Sequence, residues 1–225
     1  MLEGNTALVL APHPDDEALG CSGTLVLINR RGTASTIVYL TDGEKLHGES
    51  AMSVAKERRG EGSRSAAMLG CKEGLFLGIP DGEVSTHNRE IFHQLSAMVE
   101  EKKPDIILSP SPIDYHADHI ATARIALKLH DAFPTVTVAF YEVYSTIRFN
   151  CLVDIGDTVA QKREAILNYR TSLYGKPEIF VHAATGLNAH RSLFRQNKSY
   201  YEAFYLVEKG ESLDSILRHF CYSDR

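Results

Sequence analysis

Short β-branched apolar runs alternate with segments of helical period along most of this 225-residue chain, and that alternation limits the folds open to it. Residues 6–10, 35–40, 75–79, 106–108, 136–144 and 152–155 read as strands. Between and after them, residues 18–28, 50–69, 88–99, 120–129 and 160–169 read as helices. Gly70 suits the position after a helix end and Lys103-Pro104 closes the 88–99 pattern, whereas Gly60 and Gly62 work against an unbroken helix over 50–69. Near the end, 200–207 reads as a strand and 212–220 as an amphipathic helix with Leu213, Ile216, Leu217 and Phe220 on one side. Alternating β and α units predict a layered α/β fold, a mostly parallel central sheet flanked by helices. No Pro/Gly/Ser-rich linker divides the chain, so one domain over 1–225 is expected.

Two strand-to-helix junctions carry the chemistry. The run 6–10 is followed by Ala11-Pro12-His13-Pro14-Asp15-Asp16-Glu17, one imidazole and three carboxylates within five positions. The run 106–108 leads through a loop to His116-Ala117-Asp118-His119. Both lie at strand carboxyl ends, where open α/β sheets bind ligands, and are predicted to converge. His13 and Asp16, three residues apart, can offer a nitrogen and an oxygen to one cation. With one histidine of the second loop they make a three-ligand set that leaves a coordination position for water, as catalytic zinc sites do. The plainer reading, acids complementing two helix N-termini, accounts for the carboxylates but not for His13.

Composition narrows the partners. A formal charge of -5 with no sustained Lys/Arg stripe argues against nucleic acid or an anionic membrane surface. Neither a signal-peptide pattern nor an apolar stretch of the ~20 residues a membrane span needs is present. Cys21, Cys71, Cys151 and Cys221 are dispersed, with no Cys-x-x-Cys pair, so reduced structural thiols and a cytoplasmic location are expected, with no integral membrane segment. The first strand–helix loop lacks Gly-x-Gly-x-x-Gly and holds acids where a pyrophosphate would sit, which disfavours a dinucleotide enzyme. No feature of the pattern identifies an oligomeric interface.

On these residues the chain resembles the PIG-L/LmbE-like family of zinc-dependent N-acetylglucosamine de-N-acetylases. Ala-x-His-Pro-Asp-Asp-Glu and His-x-Asp-His carry the resemblance, with Thr41-Asp42-Gly43-Glu44, Arg58-Arg59-Gly60-Glu61, Leu69-Gly70, Asp114 and Tyr201-Glu202-Ala203-Phe204 in support, over residues 6–207. The resemblance implies His13, Asp16 and His119 as ligands of zinc, or of another divalent transition metal such as Fe2+. It implies Asp15 as general base on the metal-bound water. His116 would stabilise the oxyanion, and either it or Asp15 would protonate the leaving amine. Asp118 would hydrogen-bond His116 and fix its orientation and charge. Arg58 matches a family arginine that contacts substrate; a solvated helix face is the alternative.

Other residues carry paired readings. Asp81 binds sugar hydroxyls or forms a turn before Gly82. Glu17 backs a metal ligand or favours the helix start. Cys21 is expected to be a buried thiol rather than a nucleophile, and His182 and His190 surface groups rather than site residues. The chain departs from the family at Ser172-Leu173, where many members carry Ser-Gln, and residues 180–198 hold no family motif; both bear on substrate choice. The expectation is a Rossmann-like α/β metallohydrolase that removes the N-acetyl group from a small-molecule amino sugar, N-acetylglucosamine conjugates leading. Its rivals are hydrolysis of a longer-acyl or non-sugar amide, and a non-catalytic metal-retaining glycan-binding protein, which would need no base beside the metal.

Overall fold

The computed structural model describes residues 4–45 and 51–221. Its strands are β1 (Thr6–Ala11), β2 (Ala34–Thr41), β3 (Glu73–Ile79), β4 (Ile106–Pro110), β5 (Thr137–Tyr141), β6 (Cys151–Asp154) and β7 (Tyr201–Leu206). Its helices are α1 (Asp16–Gly20), α2 (Ser22–Arg30), α3 (Ala51–Met68), α4 (Asn88–Lys102), α5 (Ala117–Ala132), α6 (Val159–Asn168), α7 (Pro177–His190) and α8 (Leu213–Cys221). The strands form one sheet in the order β3-β2-β1-β4-β5-β7-β6. Strands β1 to β5 pair in parallel, and β7 runs antiparallel to both β5 and β6. The expected α/β architecture is the one observed, and the antiparallel edge is what the pattern of runs did not specify.

Helices cover both faces, which is why the central strands read as unbroken apolar runs. Successive strand residues point to opposite faces. Val9, Ile37 and Leu108 pack with Leu25 of α2 and Ile166 of α6, while Leu8, Leu10, Val38 and Ile107 pack with Leu95 of α4 and Ile125 of α5. From β1 the chain builds outward to β2 and β3, then returns to lay β4 on the other side of β1. That reversal sets the loops after β1 and β4 side by side at one edge.

Several expectations are corrected. The helix expected over 18–28 breaks at Cys21 (φ -141°, ψ 11°) into α1 and α2. Gly20 is required there because a Cβ would stand 2.2 Å from the Tyr141 ring. Gly60 and Gly62 do not interrupt α3. Gly62 instead admits Tyr39, whose hydroxyl donates to the Gly62 carbonyl at 3.1 Å, so the packing outweighs the propensity cost. Ser50, the expected start of that helix, lies outside the described residues, as does the side chain of Cys221. The fifth strand ends at Tyr141 rather than residue 144, and the unpatterned stretch near 180 is helix α7, opened by Pro177 in its first turn. Among the described residues no helix is long and apolar enough to cross a membrane.

Candidate metal and catalytic site

The first loop is pinned by its neighbours. Thr41, the last residue of β2, donates to the Pro12 carbonyl through its backbone N–H (3.0 Å) and its Oγ1 (2.9 Å). The His13 N–H donates to Asp16 Oδ2 at 2.8 Å, closing the turn that opens α1. Asp15 stands between them with φ +140°, a conformation that L residues rarely hold outside sites where the surroundings dictate it. The second loop ends at His116, which caps α5: its Nδ1 accepts from the Asp118 N–H at 3.2 Å. Asp118 and His119 then fall in the first helical turn.

The two loops do converge. Asp16 lies between the two histidines, with Oδ2 3.3 Å from His13 Nδ1 and Oδ1 3.1 Å from His119 Nε2. Behind His119, Asp114 Oδ1 stands 3.1 Å from Nδ1, the carboxylate-behind-histidine arrangement of metal sites. Asp16 and His119 are fully buried, yet neither Asp16 Oδ1 nor either ring nitrogen of His119 makes an aligned hydrogen bond. Buried polar atoms that face each other without an aligned hydrogen bond are incompletely satisfied, and a cation held by Asp16 and His119 would satisfy them. Among the described residues the groups whose ligand atoms converge closely enough to share a cation are His13, His116 and His119, and His13, Asp81 and Asp118; neither includes Asp16. His13 is common to both. The incompletely satisfied atoms favour a set containing Asp16.

Electrostatics follow from burial and close pairing. Burial alone would raise the Asp16 pKa, but His119 and His13 beside it hold its carboxyl below the usual range. Burial works against a charged His119, and its partners Asp16 and Asp114 nevertheless push it up to about 9. For Asp15 burial dominates and pushes the carboxyl up to about 8, against the opposing pull of Arg58. Burial, reinforced by the nearby His13 and His119, moves His116 the other way, toward the neutral ring.

Asp15, His13, Arg58, Asp81 and His116 all border a cavity of about 100 Å³, together with Tyr144, Ser172 and Tyr174. Arg58 is not on a solvated face. It is buried, donating from Nη1 to the Gly43 carbonyl (2.9 Å) and from Nη2 to the Pro14 carbonyl (3.0 Å), with Nη2 3.5 Å from Asp15 Oδ2. Gly43 is needed for that approach, since a Cβ there would sit 2.0 Å from Nη1. Asp81 Oδ1 lies 3.2 Å from His13 Nε2, so its carboxylate faces the cavity rather than only shaping its turn.

The expected contact between the Asp118 carboxylate and His116 is not made. Asp118 Oδ2 accepts from the Gly82 N–H (2.8 Å) and stands 3.3 Å from His13 Nε2, while Oδ1 accepts from the Val84 N–H at 3.2 Å. The reason is the helix start: with the Asp118 N–H turned back to His116 Nδ1, its side chain points across to the loop after β3 and to His13. A ring whose Nδ1 accepts a hydrogen bond carries its proton on Nε2.

Glu17 is buried and accepts from Ser65 Oγ (2.6 Å) and Tyr169 OH (2.5 Å), and burial raises its pKa. Cys21 is a buried free thiol, and His182 and His190 are exposed and border no part of the cavity. Three residues absent from the sequence-level site belong to it. Tyr144 stacks on His119 (centroids 5.6 Å apart, rings 19° from parallel), Asp114 backs the same ring, and Ser172 Oγ donates to the Pro14 carbonyl at 2.8 Å. Asp114 had a signal in its spacing from His116; Tyr144 had none, because it follows β5 far along the chain. At the Ser172-Leu173 departure, Ser172 borders the cavity while Leu173 is buried in the core.

Comparison with known proteins bears on this geometry. The family model PIG-L, described as GlcNAc-PI de-N-acetylase, matches residues 8–130. A diacetylchitobiose deacetylase of Thermococcus kodakarensis is 27% identical over 73% of this chain and 68% of its own length. A probable N-acetyl-alpha-D-glucosaminyl L-malate deacetylase 2 of Bacillus cereus is 25% identical over 82% of each chain. The solved N,N'-diacetylchitobiose deacetylase of Pyrococcus horikoshii superposes with a TM-score of 0.76 at 25% identity, covering 91% of this chain and 84% of the other. The 4-carboxy-2-hydroxymuconate hydratase GalB of Pseudomonas putida superposes with a TM-score of 0.79 at 21% identity, covering 91% of this chain and 96% of its own; it shares the fold alone.

Proposed function

The chain belongs to the PIG-L family of GlcNAc-PI de-N-acetylases, and from that premise we propose that it is a metal-dependent hydrolase that removes the N-acetyl group of an N-acetylated amino sugar, an N-acetylglucosamine conjugate foremost. The observation that carries the reading is the buried pair Asp16 Oδ1 and His119 Nε2, 3.1 Å apart with no aligned hydrogen bond, beside a cavity bordered by Asp15 and His116. His13, Asp16 and His119 would hold the cation, zinc or iron. Bound there, a divalent ion acidifies water and polarises the acetamide carbonyl as a Lewis acid.

The chain's own groups supply the rest. Asp15 withdraws a proton from the attacking water, and its ionised form is favoured by Arg58. His116, neutral with its proton on Nε2, donates a hydrogen bond to the oxygen on which negative charge develops. Asp15, once it has taken that proton, can return it to the leaving nitrogen, so it serves as base and then as acid. Asp118 acts on His13 rather than on His116, orienting the ring from its Nε2 side. Arg58 and Asp81 face the sugar, the first with a fixed positive charge and the second with an acceptor for hydroxyls. The reading takes 1–225 as one catalytic unit and places it in the cytoplasm, consistent with the free thiols Cys21, Cys71 and Cys151.

Amine release from a panel of N-acetylglucosamine conjugates tests the reading, with protein stripped of metal and then reloaded with zinc or iron, and His13→Ala as control. Release that depends on both metal and His13 is expected. Stoichiometric metal binding without release from any conjugate would transfer the reading to another amide.

A further inference from the structure

Beside the catalytic cavity lies a second groove of about 330 Å³, large enough for an alkyl or aryl group. Its walls are apolar: Leu19 from α1, Val143 after β5, and Ile179, Phe180, Ala184 and Leu187 from α7. Tyr144 borders both spaces, which makes the groove the immediate neighbour of the cavity over Asp15. Helix α7 lies mostly within the stretch without family motifs, and it contributes half of the groove's lining.

The lining also fixes the charge of what can enter. Among the described residues it contains no lysine or arginine, and its acid, Glu142, is buried and held by the guanidinium of Arg191. An anionic group in the groove would therefore meet a carboxylate and no available cation. The polar handle is Asn188. It is buried, its Nδ2 donates to the Tyr201 carbonyl at 3.0 Å, and its Oδ1 accepts no hydrogen bond. At the rim Ile179 leaves 61% of its surface exposed, and Tyr144 leaves 50%. A large apolar side chain held open at the mouth of an apolar groove is the pattern of a ligand site rather than of core packing.

We propose that this groove receives the aglycone of the substrate, and that the aglycone is uncharged and apolar. The inference rests on the amino-sugar reading of the adjoining site and narrows it: a glycoside ending in an alkyl or aryl group is favoured over one ending in a dicarboxylate such as malate. The sugar occupies the Asp15 side of Tyr144 and its anomeric substituent the Leu187 side.

Calorimetry on the zinc-loaded protein with the methyl, hexyl and malyl glycosides of glucosamine tests the groove without turnover, since these products carry no acetyl group. Burying the added methylenes is expected to make the hexyl glycoside bind about tenfold more tightly than the methyl one or better. Ile179→Asp is expected to bring that hexyl-to-methyl ratio to within about twofold, by placing a charge at the groove mouth. A wild-type ratio near one, a ratio unchanged in Ile179→Asp, no hexyl binding at millimolar concentration, or tighter binding of the malyl than the hexyl glycoside would each overturn the proposal. Amine release from the acetylated methyl glycoside, too short to reach the groove, tests the deacetylase reading separately.

Discussion

Asp118 Oδ2 lies 3.3 Å from His13 Nε2, whereas His116, two residues before it, is reached by the backbone N–H of Asp118 and not by its carboxylate. One acid is thereby moved from the candidate catalytic histidine to the candidate metal ligand.

Loss of such a contact costs metal affinity. Asp118→Ala is expected to weaken zinc binding by about 10–100-fold, as loss of a carboxylate behind a ligating histidine does. His116→Ala is expected to leave affinity within a few-fold while activity falls. Competition with a chromophoric chelator reads both. If His116→Ala weakened zinc as much as His13→Ala, the convergent set of His13, His116 and His119 would replace the one containing Asp16.

Asp15 holds a backbone conformation that suits glycine and buries a carboxyl whose pKa is pushed up to about 8. Asp15→Gly relieves a strain of order 1–3 kcal/mol and should raise the thermal midpoint. The same change should lower kcat by about 10²–10⁴ by removing the general base. Calorimetric melting and amine release together check the trade; a lower midpoint with activity retained would contradict both assignments.

Lys162 and Glu202 form an ion pair with no exposed side-chain surface, at 2.7 Å. Glu202 also accepts from the Gly23 and Thr24 N–H groups at 3.0 and 2.8 Å, which ties the start of α2 to β7. Lys162→Met leaves that carboxylate without its counter-charge and is expected to cost about 3–5 kcal/mol. Urea unfolding should show the lower midpoint with an unchanged slope. Glu202→Gln keeps an acceptor for only one of the two N–H groups and leaves Lys162 without its counter-charge, so it is expected to cost a similar amount.

Burial pushes the Cys71 thiol up to about 11 and the Cys21 thiol well above its ordinary value. The thiolate is the reactive form, so labelling by iodoacetamide at pH 8 should run about two orders of magnitude slower at Cys71 than for a free thiol near 8.5. The Cys71 rate should rise about tenfold per pH unit until the titration near pH 11 is reached. Peptide mass spectrometry over a pH series resolves the two sites, and fast labelling of either at pH 8 would count against this account.

Local pattern was enough for what depends on neighbours in sequence. The β-branched runs marked β1, β2 and β4, because strands covered on both faces must be apolar throughout. The spacing of His13 from Asp16 and the place of His116 and His119 at a strand-to-helix junction were sufficient to predict that the two loops meet. Convergence follows once parallel β1 and β4 lie side by side. The resemblance then implied which of these residues would be ligands.

What depends on partners distant in the chain was decided only by the tertiary structure. Tyr144 reaches His119 because β5 lies beside β4, a pairing that leaves no periodic mark near residue 144. Arg58 read equally well as a solvated helical cation until α3 packed it against the carbonyls of Gly43 and Pro14. Asp118 left His116 because its backbone and its carboxylate are drawn to different neighbours, and sequence spacing records only the distance between residues, not the direction a side chain takes. Sequence by itself determined the strand–helix alternation and the kinds of group in the site. The tertiary structure decided which group acts on which, because hydrogen-bond geometry and burial are properties of packed elements and not of the segments that form them.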